Sequence, residues 1–177
     1  MVLISILKYL NLDVIAIHIN YNNRCEAHHE QLFLQQWCGL NQIKLYIKEI
    51  KHINRESSSN RSLYEEETTK IRFDFYKYVL NKEKCESILL GHHKDDIVEN
   101  IFTNVCRGRN ILDLKVIQEC SIIDNVKIRR PLIKIKKTEI YDFAKRNNIP
   151  YFLDSTPLWS VRGKCRNRFF KELSDTF

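Results

Sequence analysis

Between Ile88 and Asn100 the sequence passes directly from the pattern of a buried strand to that of a helix start. The apolar run Ile88-Leu-Leu ends in Gly91, and the polar cluster from His92 to Asp96 opens an amphipathic segment. Strand, tight turn and helix N-terminus together form the place where open α/β sheets bind phosphate or nucleotide. Backbone N–H groups and the helix dipole both point at the ligand there. The spacing of Asp95, Asp96 and Glu99 puts all three carboxylates on one side of that helix start. Oxygen ligands beside a phosphate site suit Mg²⁺, which takes a couple of carboxylates plus phosphate oxygens and water. An Asp here also serves as a helix cap, and acids in a first turn complement the dipole, so that reading stays open for each. His92 and His93 are chain neighbours without a second His/Cys pair at ligand spacing, which argues against zinc.

The 177 residues form one domain, and the 44% apolar content with few Gly and Pro excludes a disordered or fibrous chain. Met1–Leu12 is apolar but has no basic start and is too short to span a bilayer, so a soluble, cytoplasmic protein is expected. The six cysteines, at 25, 38, 85, 106, 120 and 165, contain no Cys-x-x-Cys pair and read as reduced thiols. Cys106 and Cys165 stand in basic surroundings and are expected to be more acidic than average. Charge is concentrated: Lys127–Lys171 carries 13 Lys/Arg against 3 Asp/Glu, within a chain of net charge +7. Such a segment in an otherwise near-neutral domain predicts a polyanionic partner, nucleic acid first.

Strands are expected at Asp13–Asn20, Ile43–Ile50, Ser87–Gly91 and Val126–Leu132, with a short fifth at Tyr151–Leu153. Helical patterns occupy Glu26–Gly39, Leu63–Leu80, Asp95–Arg107, Lys136–Asn148 and Cys165–Ser174. Strict alternation predicts an α/β fold, a doubly wound parallel sheet with right-handed crossovers. Ligands bind outside the carboxyl ends of such strands. That rule gathers His18, Asn20 and Arg24 after the first strand, Gly91 to Asp96 after the third, and Arg129 and Arg130 after the fourth. Asn20, Gly91 and Arg130 are therefore expected at one edge of the sheet.

With these residues in place, the chain resembles the PP-loop ATPases, and within them the ATPase domain of the tRNA(Ile)-lysidine synthases. The matching pieces run in the family's order from His18-Ile-Asn20 with Arg24, through Glu67-Thr-Thr-Lys-Ile-Arg72, to Leu90-Gly-His-His-Lys-Asp-Asp96 with Glu99. Arg107-Gly108, Arg130-Pro131-Leu132, Asp154-Ser-Thr and Arg166-Asn167-Arg168 complete them. Thr69 stands where the family usually has an Arg, and Arg109-Asn110 replace a more glycine-rich stretch. The signature Ser-Gly-Gly-x-Asp-Ser loop is not in the sequence, and Met1-Val-Leu resembles the helix that this loop opens. The resemblance thus implies an N-terminally truncated, adenine nucleotide alpha hydrolase-like fold, with its first strand and phosphate loop upstream of residue 1. Two origins for this are an internal Met taken as the start and a shortened gene.

The activity the resemblance implies is ATP- and Mg²⁺-dependent adenylation of an anticodon cytidine of tRNA(Ile), followed by displacement of AMP by lysine. On this reading Asp95, Asp96 and Glu99 serve Mg²⁺ or the lysine ammonium, with Asp95 and Asp96 as metal ligands, and His92 and His93 act on the phosphate side. His18, Asn20, Arg24, Gly91 and Arg107 border the nucleotide, while Arg129, Arg130, Arg166 and Arg168 meet tRNA. Two alternatives stand beside it. One is a tRNA 2-thiolation enzyme of the same superfamily, disfavoured by the lack of a Cys-x-x-Cys pair. The other is a non-catalytic tRNA- or nucleotide-binding remnant.

Overall fold

The computed structural model describes residues 1–23, 26–51, 61–110, 114, 117–152, 161–170 and 172. In chain order the elements are α1 (Val2–Tyr9), β1 (Ile15–Asn20), α2 (Ala27–Leu40), β2 (Lys44–Glu49), α3 (Arg61–Glu83), β3 (Ile88–Leu89) and α4 (Lys94–Cys106). There follow β4 (Cys120–Ile123), β5 (Val126–Arg129), α5 (Lys137–Arg146), α6 (Val161–Lys164) and a π turn over Cys165–Phe169. They fall into two compact units. One comprises Val2–Leu90 with Cys120–Arg129, the other Met1, Gly91–Glu119 and Arg130–Phe177.

In the first unit β1 and β2 pair in parallel, with Ile15 opposite Lys44 and Asn20 opposite Glu49. β3 pairs in parallel with β5, and β4 runs antiparallel on the other side of β5. Among the described residues β1 pairs only with β2, and β3 only with β5. Alternation along β1 sorts its side chains onto two faces. Ile17 and Ile19 pack against Phe73 and Tyr76 of α3 together with Ile88, Val126 and Ile128. Ala16 packs on the other side with Cys38 and Ile43, joined by Ile4 of α1 and Trp37 of α2. Helices on both faces of parallel strands are what the strand–helix alternation predicts, so the α/β expectation holds.

The differences are local and have causes. β5 stops at Arg129 instead of reaching Leu132, because Pro131 has no N–H to continue a ladder. β4 went unread: it is four residues long, and its turn, Asp124-Asn125, carries no glycine although both residues have positive φ (51° and 59°). That left-handed pair is the two-residue turn whose twist matches a hairpin. Its presence makes the sheet mixed, with an antiparallel edge strand. Tyr151 and Phe152 lie in no strand, and Leu153 is outside the described residues. The C-terminal helix starts at Val161, ahead of the expected Cys165. Among the described residues no helix is long and apolar enough to cross a membrane.

The two faces of the β4–β5 hairpin give a direct stability test. Ile128 is 1% exposed in the core while Ile122, one strand away, is 75% exposed. Ile128→Ala should cost about 2–5 kcal/mol, and Ile122→Ala no more than about 0.5 kcal/mol, read from urea midpoints at constant m.

Candidate functional site

In the second unit the chain leaves β3 through Gly91, His92 and His93 and enters α4 at Lys94. His93 is the N-cap, and its backbone N–H donates to Asp96 Oδ2 at 3.0 Å. Asp96, 7% exposed, is therefore oriented by the helix start that it caps. The imidazole of His93 lies over the same acids, with Nε2 3.4 Å from Asp96 Oδ2 and Nδ1 3.5 Å from Asp95 Oδ2. Asp95 reaches outward: its Oδ2 accepts the backbone N–H of Lys137 at 2.8 Å, the first residue of α5. Lys94 N–H donates in turn to the carbonyl of Ile135 at 2.9 Å. The starts of α4 and α5 are thus tied to each other by two hydrogen bonds, one of them charge-assisted. Two helix N-termini, with their positive dipole ends, meet beside the acids.

His92 is held from the other side. Arg130 Nε donates to its Nδ1 at 3.1 Å, and Arg130 Nη1 donates to the carbonyl of Gln118 at 2.8 Å. An Nδ1 that accepts from a guanidinium N–H carries no proton itself, which leaves Nε2 as the donor nitrogen of His92. Arg130, expected beside Arg129 as an RNA contact, is 6% exposed with its guanidinium turned inward, whereas Arg129 is exposed on β5. Gly91 has open space where a side chain would stand: apart from its own chain neighbours, a Cβ there would meet no protein atom within 4 Å.

Glu99 follows on α4 at 7% exposure. Phe102, three residues on, stacks on Phe169 at 4.1 Å and meets Phe170 at 5.7 Å, which fixes the π turn against α4. That turn carries the backbone of Arg166 and the exposed Arg168; the Arg166 side chain is outside the described residues. Cys165 departs from expectation. Burial pushes its thiol up, and the charges of Glu99 and Cys106 push the same way, so the nearby arginines do not make it acidic. Arg107 is the exposed C-cap residue of α4, where a cation also complements the helix dipole. Gly108 then turns the chain with φ +68°. Among the described residues no three His, Cys, Asp or Glu side chains gather as a metal cage, so a cation at Asp95 and Asp96 would draw further ligands from phosphate and water.

In the first unit the ends of β1 and β2 carry a separate polar network. Asn20, 3% exposed, donates to Gln31 Oε1 at 2.8 Å and accepts from the Asn22 N–H at 2.9 Å. Gln31 passes the chain on to Glu49 Oε1 at 2.8 Å. That bond, and then Lys51, hold the Glu49 carboxyl below its usual range. Gln31 and Glu49 were not singled out from the sequence; the signal was the register that sets Glu49 opposite Asn20. His18 Nε2 is buried without a hydrogen-bond partner among the described residues. Arg24 lies outside the described residues.

Burial lowers the His18 pKa below its ordinary 6.5, with Glu30 opposing. The folded state then binds its proton more weakly than the unfolded chain. Stability should be full above pH 6.5 and decline as the pH falls through that value toward the folded pKa. In His18→Gln this decline should be shallower, measured as urea midpoints from pH 7.5 to 5; parallel curves would remove His18 as its source.

A family model described as a PP-loop domain matches residues 1–173. Similar proteins include the tRNA(Ile)-lysidine synthase of Mycoplasma mycoides, 28% identical over 144 residues, covering 81% of this chain and 35% of the relative. That of Francisella tularensis subsp. novicida is 30% identical over 155 residues, covering 88% of this chain and 38% of the relative. The chain spans little more than a third of the length of these relatives. Among solved structures, the U34-tRNA thiolase NcsA from Methanococcus maripaludis, determined with its 4Fe-4S cluster, matches with a TM-score of 0.73 at 19% identity. The match covers 99% of this chain and 60% of that one, and it bears on the fold alone. With the family model running across nearly its whole length, over a strand, turn and acid-bearing helix in the expected order, the chain belongs to the PP-loop family.

Proposed function

We propose that this chain is the nucleotide-activating part of a tRNA-modifying ligase that uses ATP to adenylate an anticodon cytidine of tRNA(Ile) and then joins lysine to it. The observation that carries the reading is the start of α4, where Asp95, Asp96 and a His92 whose Nδ1 accepts from Arg130 stand at the exit of β3 beside two helix N-termini. Relatives named tRNA(Ile)-lysidine synthase and the PP-loop match support it.

Each residue has a physical task in that reading. Gly91 leaves room for a phosphate to approach the backbone. His92 Nε2–H donates toward phosphate oxygens, and Arg130 keeps that tautomer by bonding the other nitrogen. Asp95 and Asp96 are each oriented through one oxygen and fit a Mg²⁺ that completes its shell with phosphate oxygens and water. Such an ion, when bound, offsets triphosphate charge. Glu99, Arg107, Arg166 and Arg168 are assigned to the lysine ammonium and to phosphate or RNA. His18 and Asn20 are assigned to the nucleotide border, with Asn20 held by Gln31. The Ser-Gly-Gly-x-Asp-Ser loop is absent from the 177 residues, so the assignment is to a polypeptide that also supplies a phosphate turn.

The test, on the polypeptide that also supplies the phosphate turn, is trapping of labelled AMP on tRNA(Ile) from ATP and Mg²⁺, with release on adding lysine. Asp96→Asn retains an acceptor for the His93 N–H, so its melting temperature should stay within error while AMP transfer is lost. Gly91→Ala should melt like the parent and transfer AMP at least about tenfold more slowly. Full transfer by Asp96→Asn would return that residue to capping alone. Bound but unlabelled tRNA would favour the non-catalytic binder, and sulfur incorporation from a labelled donor would favour the thiolation enzyme.

A further inference from the structure

In the three-stranded sheet β3-β5-β4 the central strand β5 turns one face to the core and one to solvent, with the half-buried Leu89 of β3 beside Arg129. Val126 and Ile128 of β5 are 0% and 1% exposed, while Lys127 and Arg129, alternating with them, are exposed on the opposite face. Cross-strand register puts Ile122 beside Lys127 and Cys120 beside Arg129, and both β4 residues are exposed as well. Among the described residues no helix covers these four side chains, as is common on the solvated face of an antiparallel pair.

The charge on this face is uncompensated. The two acids that bracket β4 are each taken by a lysine from elsewhere: Glu119 by Lys134 at 3.0 Å and Asp124 by Lys77 at 2.6 Å. Among the described residues neither Lys127 nor Arg129 has a carboxylate within ion-pair distance, although Lys44 on β2 and Lys51 just after it both do. Two cations at alternate positions of one strand stand roughly 6.6 Å apart, comparable to the reach between successive phosphates of an extended nucleic-acid strand. An acidic peptide adding itself as a strand would pair along β4. Its side chains would then lie by Ile122 and Cys120, one strand away from the cations. A ligand that meets Lys127 and Arg129 must cross the face, with charge carried on the outside of its own backbone.

We propose that the open face of the β4–β5 hairpin, Lys127 and Arg129 flanked by Ile122 and Cys120, docks the phosphate backbone of single-stranded or loop RNA. The inference rests on the RNA-substrate reading and gives it a surface. No aromatic side chain stands among these four residues, so the contact positions the RNA and carries little base specificity. Ile122 offers apolar cover for a ribose or a base face next to Lys127.

The experiment uses the full chain and a fluorescent tRNA anticodon stem-loop, without ATP or lysine, so that failure of adenylation does not touch it. Lys127→Ala/Arg129→Ala should melt like the parent and bind at least tenfold more weakly. The slope of log K against log salt should become shallower by roughly 1–2. Lys70→Ala/Lys84→Ala removes the same charge from exposed sites on and just after α3 and should change both far less. Bound RNA should also slow maleimide alkylation of Cys120 several-fold by peptide mass mapping. An unchanged slope in the double variant, equal loss in the control pair, an unprotected Cys120, no binding by the parent at low salt, or equal competition by polyglutamate would each overturn the proposal. AMP transfer by a polypeptide that also supplies the phosphate turn, alongside any of these, would leave the catalytic reading standing without this surface.

Discussion

A guanidinium that is 6% exposed must be given acceptors, because an uncompensated buried charge costs several kcal/mol. Arg130 meets that demand with the carbonyl of Gln118 and the Nδ1 of His92, and its backbone N–H with the carbonyl of Glu119. Three stretches far apart in sequence are fixed by one residue: the turn ahead of α4, the segment ahead of β4, and the exit of β5. Pro131, next in the chain, ends the strand there and sends the backbone into the turns that lead to α5. Asp95 then ties α5 back to α4 through the Lys137 N–H. The geometry of the acid-bearing helix start therefore depends on a cation buried behind it.

Much of this was legible in the sequence, and what was not has a definite reason. The change of period at Gly91 announced β3 and α4 because both elements bury an apolar pattern of their own. Helices α2, α3, α4 and α5 were found to within three residues at each end, since capping and periodicity act locally, whereas the C-terminal helix was expected at Cys165 and begins at Val161. The hairpin was not, because Asp124 and Asn125 adopt left-handed backbone without the glycine that usually marks it. The contrast between Arg129 and Arg130 was equally hidden. Adjacent residues of a strand point to opposite faces, so one of the pair must turn in, but composition treats them as one basic dipeptide. Gln31 and Glu49 were missed because the Asn20 network joins a strand end to a helix and to a second strand, and no local pattern records that.

The acids illustrate why a cap and a ligand are not exclusive readings. A free Asp on a helix start samples several rotamers, and a cation would have to order it at a cost in side-chain entropy. Here one oxygen of Asp96 is fixed by the His93 N–H and one of Asp95 by the Lys137 N–H. Each carboxylate is already oriented before any ligand arrives, as supporting hydrogen bonds do at metal sites generally. The capping role seen in the geometry lowers the cost of the proposed binding role.

The same environment weighs between the two tRNA chemistries. Sulfur transfer needs thiolates, which form where cations or helix N-termini lower the cysteine pKa. Cys165, placed by the Phe102–Phe169 stack next to α4, has its thiol pushed up by burial and by the negative charge of Glu99. Cys38 is raised by burial in the core behind β1. A carboxylate that discourages a thiolate does the opposite for an ammonium, whose charge it would offset. Glu99 at 7% exposure, on the same helix as Asp95 and Asp96, is placed to do so for the amine in the proposed reaction. The electrostatics beside α4 are thus compatible with the proposed ligation of an amine.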